Sequence, residues 1–147
     1  MITNIFKRMF LFVAVSVFSF NLHAADWTMA SGYPKSNFHT QNIIKFIDDV
    51  KSSTSVNINL NPNDTLIKLD AIKTSLQRGQ IPIGEIRLGI YGNEDPMYIL
   101  AGLPFIAPDY SSAWLLKDVQ MEYLQEKFAK KGLMILYTAP WPGQGFY

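Results

Sequence analysis

The apolar pattern switches repeatedly between a period of two and a period near 3.6, and this alternation constrains the fold more than any other feature of the chain. Trp27, Met29 and Ser31 alternate in a short strand over residues 26–31, which Gly32-Tyr33-Pro34 breaks. A helix follows from Asn37. Ile43, Phe46, Ile47 and Val50 recur at the spacing of one apolar face, and Asn37 or Ser36 can cap its free N–H groups. Val56, Ile58 and Leu60 alternate with asparagines in a second strand. Asn61-Pro62-Asn63-Asp64 is a loop ending in a cap, followed by a second helix on Leu66, Leu69, Ile72 and Leu76 that Gly79 stops. Residues 81–91 form a strand-like run interrupted at Gly84-Glu85, and Met97–Gly102 suits a turn or two of helix. Pro104 and Pro108 force an extended connection. Ser111 or Asp109 then caps a third long helix whose expected face is Leu115, Val119, Tyr123, Leu124 and Phe128, closed by Gly132. Leu133–Tyr137 is a continuous apolar run that suits a strand covered on both sides. Strands alternating with helices predict an α/β fold, a mostly parallel sheet flanked by helices.

The first residues read as an address. Lys7 and Arg8 precede twelve largely apolar residues, Met9–Phe20, too few to span a bilayer, which takes ~20. Leu22-His23-Ala24 offers a small residue for cleavage, so residues 1–24 are expected to be a signal peptide and residues 25–147 one exported lobe in the periplasm. Of 13 basic and 12 acidic residues, cleavage removes Lys7 and Arg8 and leaves a net charge of −1. A chain so balanced offers nothing to hold a phosphate backbone, so nucleic acid is not an expected partner. The absence of cysteine excludes disulfides, thiolate metal sites and a cysteine nucleophile. One histidine, His39, remains after cleavage, so neither a metal nor a cofactor is expected.

Phosphate-loop, dinucleotide and nucleophile-elbow motifs are absent. Asp48-Asp49 and Glu94-Asp95 read as solvated pairs, Asn63-Asp64-Thr65 as a helix cap, and Lys127, Lys130 and Lys131 as cations favoured by a helix C-terminus. Two features carry more chemistry. Asn37-Phe38-His39-Thr40 opens the first helix, where free N–H groups attract anions. Glu85 lies in an apolar run, where a charge needs a partner; it points into a cleft or sits at an exposed edge, and Arg87 shares its face. An exported α/β enzyme using His39 and Glu85 as acid–base partners would lack any nucleophile or metal constellation, so an enzyme is not expected. Trp141, Phe146 and Tyr147 make a sticky end that either docks on this domain or serves a further lobe or partner chain.

Trp27-Thr28-Met29-Ala30-Ser31, Asn37-Phe38-His39-Thr40, Leu66-Ile67-Lys68, Gly79-Gln80-Ile81 with Gly84-Glu85, Leu103-Pro104-Phe105 and Pro140–Tyr147, in this order behind an export signal, resemble the first lobe of a TRAP (tripartite ATP-independent periplasmic) transporter solute-binding protein of the DctP type. The resemblance implies two α/β lobes with a small organic acid held between them and passed to a membrane permease driven by an ion gradient. Family members are about twice this length, and the hinge crossing falls near Pro140-Trp141-Pro142, so the second lobe would be missing here and could be a separate polypeptide. The resemblance places Tyr33, Asn37, His39 and Glu85 on the ligand side. It places the family's carboxylate-clamping arginine beyond the hinge, at a position that neither Arg78 nor Arg87 matches. The chain departs from the family pattern at Ser55-Val56, where a glycine is usual.

Cleavage after Ala24 is directly testable. N-terminal sequencing of the exported protein is expected to begin at Ala25; a mature chain beginning at Met1 would contradict the assignment.

Overall fold

The computed structural model describes residues 25–144; the signal-peptide expectation for residues 1–24, and Phe146 and Tyr147, lie outside the described residues. Three strands, β1 (Asp26–Ala30), β2 (Asn57–Asn61) and β3 (Ile83–Gly84), form one sheet in the order β2-β1-β3. Both pairings are parallel, with Ala30 opposite Asn61 on one side and Gly84 on the other. The carboxyl ends of all three strands therefore finish level. Helices α1 (Phe38–Ser53), α2 (Ile72–Gln77) and α3 (Tyr110–Ala129) and two 3₁₀ segments, Leu88–Tyr91 and Pro96–Gly102, complete the described elements. This is the expected α/β lobe. Among the described residues no helix is long and apolar enough to cross a membrane.

Helix α1 follows its local code. The Asn37 side chain accepts from the His39 N–H at 2.9 Å, closing the first turn, and Ile43 is buried with Phe46, Ile47 and Val50 against Met29, Ile58 and Ile83 of the sheet. Asp48 and Asp49 are exposed, as expected. Gly79 and Gly132 adopt the left-handed conformation after α2 and α3 that stops each helix.

The second half of the described chain is held by buried charge as well as apolar packing. Tyr91, Tyr98, Leu124 and Phe128 form its core. Above it the Lys73 side chain, 2% exposed, pairs with Glu94, and its ammonium lies 4.0 Å from the Tyr91 ring centre. Glu94 also pairs with Lys131. Asp95 accepts from the Tyr123 hydroxyl at 2.6 Å and the Met97 N–H at 3.0 Å, and meets Lys127 at 3.0 Å. These donors, Tyr123 foremost, hold the Asp95 carboxyl down to about 2. Glu94 and Asp95 are thus engaged by α2 and α3 rather than solvated. The two carboxylates also use Lys127 and Lys131, leaving Lys130 to pair within the helix with Glu126 at 2.5 Å.

Four expectations need correction. The second helix is confined to Ile72–Gln77, because Asn63 and Asp64 both take positive φ and turn the chain, Asp64 accepting from the Leu69 N–H at 2.9 Å instead of capping a helix at Leu66. The run 81–91 is a strand only at Ile83–Gly84; beyond Glu85 it leaves the sheet and winds into a 3₁₀ turn. Leu133–Tyr137 has no ladder partner among the described residues, and Met134 is 80% exposed. The buried stripe of α3 is Gln120, Leu124 and Phe128, with Leu115 67% and Val119 71% exposed. Gln120 donates to the Met97 carbonyl at 3.0 Å, so a polar residue holds the centre of that stripe.

The corrected face of α3 predicts opposite responses. Val119→Lys is expected to change stability by no more than about 0.5 kcal/mol, whereas Phe128→Ala should lose about 3–5 kcal/mol by urea denaturation. Equal losses would return Val119 to the core.

Candidate functional site

Ligands of open parallel sheets bind outside the carboxyl ends of the strands. Here that edge carries Ser31, immediately after β1, and Glu85, immediately after β3. Parallel register places them side by side: the Glu85 N–H donates to the Ala30 carbonyl at 2.9 Å and the Ser31 N–H to the Asn61 carbonyl at 3.0 Å. The Ser31 hydroxyl donates to the Glu85 carboxylate and accepts from the Tyr33 N–H at 3.3 Å. Glu85 thus occupies the strand-end position; its partner is Ser31, and no ion pair joins it to Arg87 among the described residues. Sequence reasoning placed Ser31 only at the end of a strand. Its role follows from the β1–β3 pairing, which no local pattern announces.

Tyr33 lies in the loop between β1 and α1. Its carbonyl accepts from the Asn63 N–H at 2.8 Å and from the Thr40 hydroxyl at 3.2 Å, which ties the loop to both β2 and α1. His39, the second residue of α1, is 5% exposed, and its ring centre lies 6.0 Å from that of Tyr33. The Tyr33 hydroxyl and His39 Nε2 are both buried with no hydrogen-bond partner. Such groups each cost about 1–3 kcal/mol when left unsatisfied, and a native fold rarely places two together without use for them. Asn37 stands beside the pair, with its side-chain oxygen engaged in capping α1. Of the expected residues, the structure gathers Tyr33, His39 and Asn37 around the α1 start and brings Glu85 to the same sheet edge through Ser31.

Trp141 completes the cluster. Its ring centre lies 4.3 Å from His39 and 5.4 Å from both Tyr33 and Phe38, in edge contacts. The aromatic end therefore docks on its own domain at this residue. Tyr137, on the same segment, packs against Phe46 with ring centres 5.2 Å apart.

The electrostatics are those of a partly buried site. Burial raises the Glu85 carboxyl above its usual range and the Ser31 hydroxyl pulls it partway back. Burial raises the Tyr33 hydroxyl, with Arg87 opposing and Glu85 reinforcing. Burial lowers His39, so its imidazole stays neutral where an exposed one would begin to protonate. No cluster of three or more histidine, cysteine, aspartate or glutamate side chains suited to a metal exists among the described residues.

The sign of the Glu85 shift sets a pH dependence. The folded chain holds this proton more tightly than the unfolded chain, so the carboxyl's contribution to stability is largest below the unfolded value and is lost as pH rises through the folded one. Glu85→Gln removes that loss. The variant is expected to gain stability relative to the parent chain as pH rises above the ordinary carboxylate range, in urea denaturation. A pH-independent difference would contradict a buried carboxylate.

Against family models the chain has no match, and it matches no curated protein. Solved structures do match. It is 40% identical to DctP6, a Bordetella pertussis extracytoplasmic solute receptor binding pyroglutamic acid, with a TM-score of 0.78 over 80% of this chain and 40% of that one. With DctP7 of the same organism, also binding pyroglutamic acid, the identity is 33% and the TM-score 0.77, over 81% of this chain and 40% of that one. A marine metagenome TRAP solute-binding protein specific for pyroglutamate gives 33% and 0.78, over 83% of this chain and 41% of that one. The chain thus spans about two fifths of the length of these receptors. In sequence and in fold it belongs to the DctP-type TRAP solute-binding proteins, as part of such a receptor.

Proposed function

We propose that this chain forms one lobe of a periplasmic solute receptor that captures a small carboxylate, of the pyroglutamate class, and delivers it to an ion-gradient-driven membrane permease. The observation that carries the reading is the unpartnered pair, the Tyr33 hydroxyl and His39 Nε2, buried beside Glu85 at the carboxyl edge of a parallel sheet. Similarity to three receptors whose ligand is pyroglutamate favours that chemistry.

Pyroglutamate carries a lactam N–H, a lactam carbonyl and a carboxylate. The Tyr33 hydroxyl donates to an acceptor on the ligand, neutral His39 completes a second hydrogen bond, and Glu85 accepts from the lactam N–H. Asn37 holds the start of α1 in place, so the positive end of that helix faces the anion. The proposal assigns the opposing wall, and the cation that pairs with the carboxylate, to the remainder of a receptor of the relatives' size, in one chain or as a separate polypeptide. Binding without transformation needs no cofactor and no nucleophile, in keeping with a receptor rather than an enzyme. Of the aromatic end that a partner-docking module would use, Trp141 is turned onto Tyr33 and His39.

Calorimetry on the chain completed with the remaining portion of DctP6 tests the reading. Pyroglutamate is expected to bind more tightly than malonate or open-chain glutamate. Glu85→Ala and Tyr33→Phe should each weaken it, the former by ~30-fold or more, because a charged hydrogen bond is lost in a dry site. Unchanged affinity in both variants would remove these residues from the ligand side.

A further inference from the structure

The Tyr33 hydroxyl and His39 Nε2 are not empty-handed by distance from other groups; they are covered. The indole of Trp141 sits edge-on against His39 with ring centres 4.3 Å apart and meets Tyr33 at 5.4 Å. An indole ring presents no acceptor to the hydroxyl and only one donor of its own, and no hydrogen bond joins it to either group. The contact is therefore a poor match: aromatic packing is gained while two polar atoms stay dry and unpaired.

The segment that carries Trp141 is held at its flanks and through the Trp141 ring contacts. Among the described residues, the backbone from residue 134 onward makes one hydrogen bond outside itself, from the Phe105 N–H to the Gln144 carbonyl at 3.2 Å. Trp141 stands between Pro140 and Pro142, neither of which has an N–H to tie down. Both flanks are anchored. Tyr137 packs on Phe46 before it, and after it Gly143 lies so close to Pro108 that a Cβ would stand 2.3 Å from the Pro108 carbonyl oxygen. Trp141 itself is 39% exposed, and a cleft of about 380 Å³ lies on Phe38 and His39, two of the residues its ring touches, together with Trp114 and Pro140.

We propose that Trp141 is a displaceable cover over the Tyr33–His39 pair, which a ligand bearing both donor and acceptor groups removes by supplying the hydrogen bonds the indole cannot. The identity of that ligand rests on the receptor reading above; the cover itself does not. Closing this state competes with binding, so the apparent affinity of the lobe is reduced by the fraction of molecules left uncovered.

The test uses the full chain, Trp141→Ala and Trp141→Phe. His39 is followed by imidazole NMR across pH, its signals assigned by their loss in His39→Gln. In the parent chain His39 is expected to titrate below the ordinary imidazole range. In Trp141→Ala it should return toward that range, and Trp141→Phe, which keeps an aromatic ring, should fall between. Identical titrations in the parent chain and Trp141→Ala would overturn the cover. The same variants, completed with the remaining portion of DctP6, are then titrated with pyroglutamate, where Trp141→Ala is expected to bind about tenfold more tightly. Weaker binding by Trp141→Ala would overturn the proposal and make the indole part of the ligand's wall. If His39 responds to the variants as expected while no completed chain binds pyroglutamate, the cover stands and the carboxylate reading fails.

Discussion

Parallel pairing on both sides of β1 is the constraint on which the rest depends. It brings Ser31 and Glu85, 54 residues apart, into hydrogen-bonding contact at a common edge. It also fixes where the β1–α1 loop must start, and hence where Tyr33 and His39 come to lie. An antiparallel or slipped β3 would carry Glu85 to the other face of the sheet, since side chains alternate along a strand. The site thus follows from a two-residue strand whose register is secured by the Glu85 N–H on the Ala30 carbonyl.

The two halves of the lobe treat buried polarity differently. Around α3, Lys73, Glu94, Asp95, Tyr123, Lys127 and Lys131 neutralise one another, and the buried Gln120 amide finds a carbonyl. At the sheet edge, Tyr33 and His39 keep a hydroxyl and a ring nitrogen without partners, and Glu85 has a single hydroxyl for company. Two of the three buried side-chain polar atoms without a partner among the described residues, the third being the Thr138 hydroxyl, thus lie where a ligand of an open α/β sheet binds.

What was legible in the sequence was local. Asn37 announces the start of α1, and Ile43, Phe46, Ile47 and Val50 announce its buried face, because cap and period both lie within the helix itself. The alternation of strands and helices gave the parallel architecture, and the quoted motifs gave the family. Features decided by distant contacts were not legible. The α3 stripe was misread because apolar residues surround that helix and Gln120, a polar residue, lies at the centre of its buried side. The shortening of α2 depends on left-handed Asn63 and Asp64, residue types that serve equally well as caps. Leu133–Tyr137 has the composition of a strand, but a strand needs a ladder partner and the described residues supply none. Within the site, Glu85 was found because a charge in an apolar run is costly; Ser31 and the cover at Trp141 depend on pairing and packing that no short pattern encodes.

The central claim is that the level carboxyl edge of this three-stranded sheet is the ligand face. Backbone amide chemical-shift mapping of the chain completed with the remaining portion of DctP6, during titration with pyroglutamate, tests it most directly. The account predicts saturable shifts centred on Ser31, Tyr33, His39 and Glu85, with the Lys73–Glu94 region unmoved. Shifts centred on α3 or on the Lys73 network, or none at the sheet edge under saturating ligand, would contradict it.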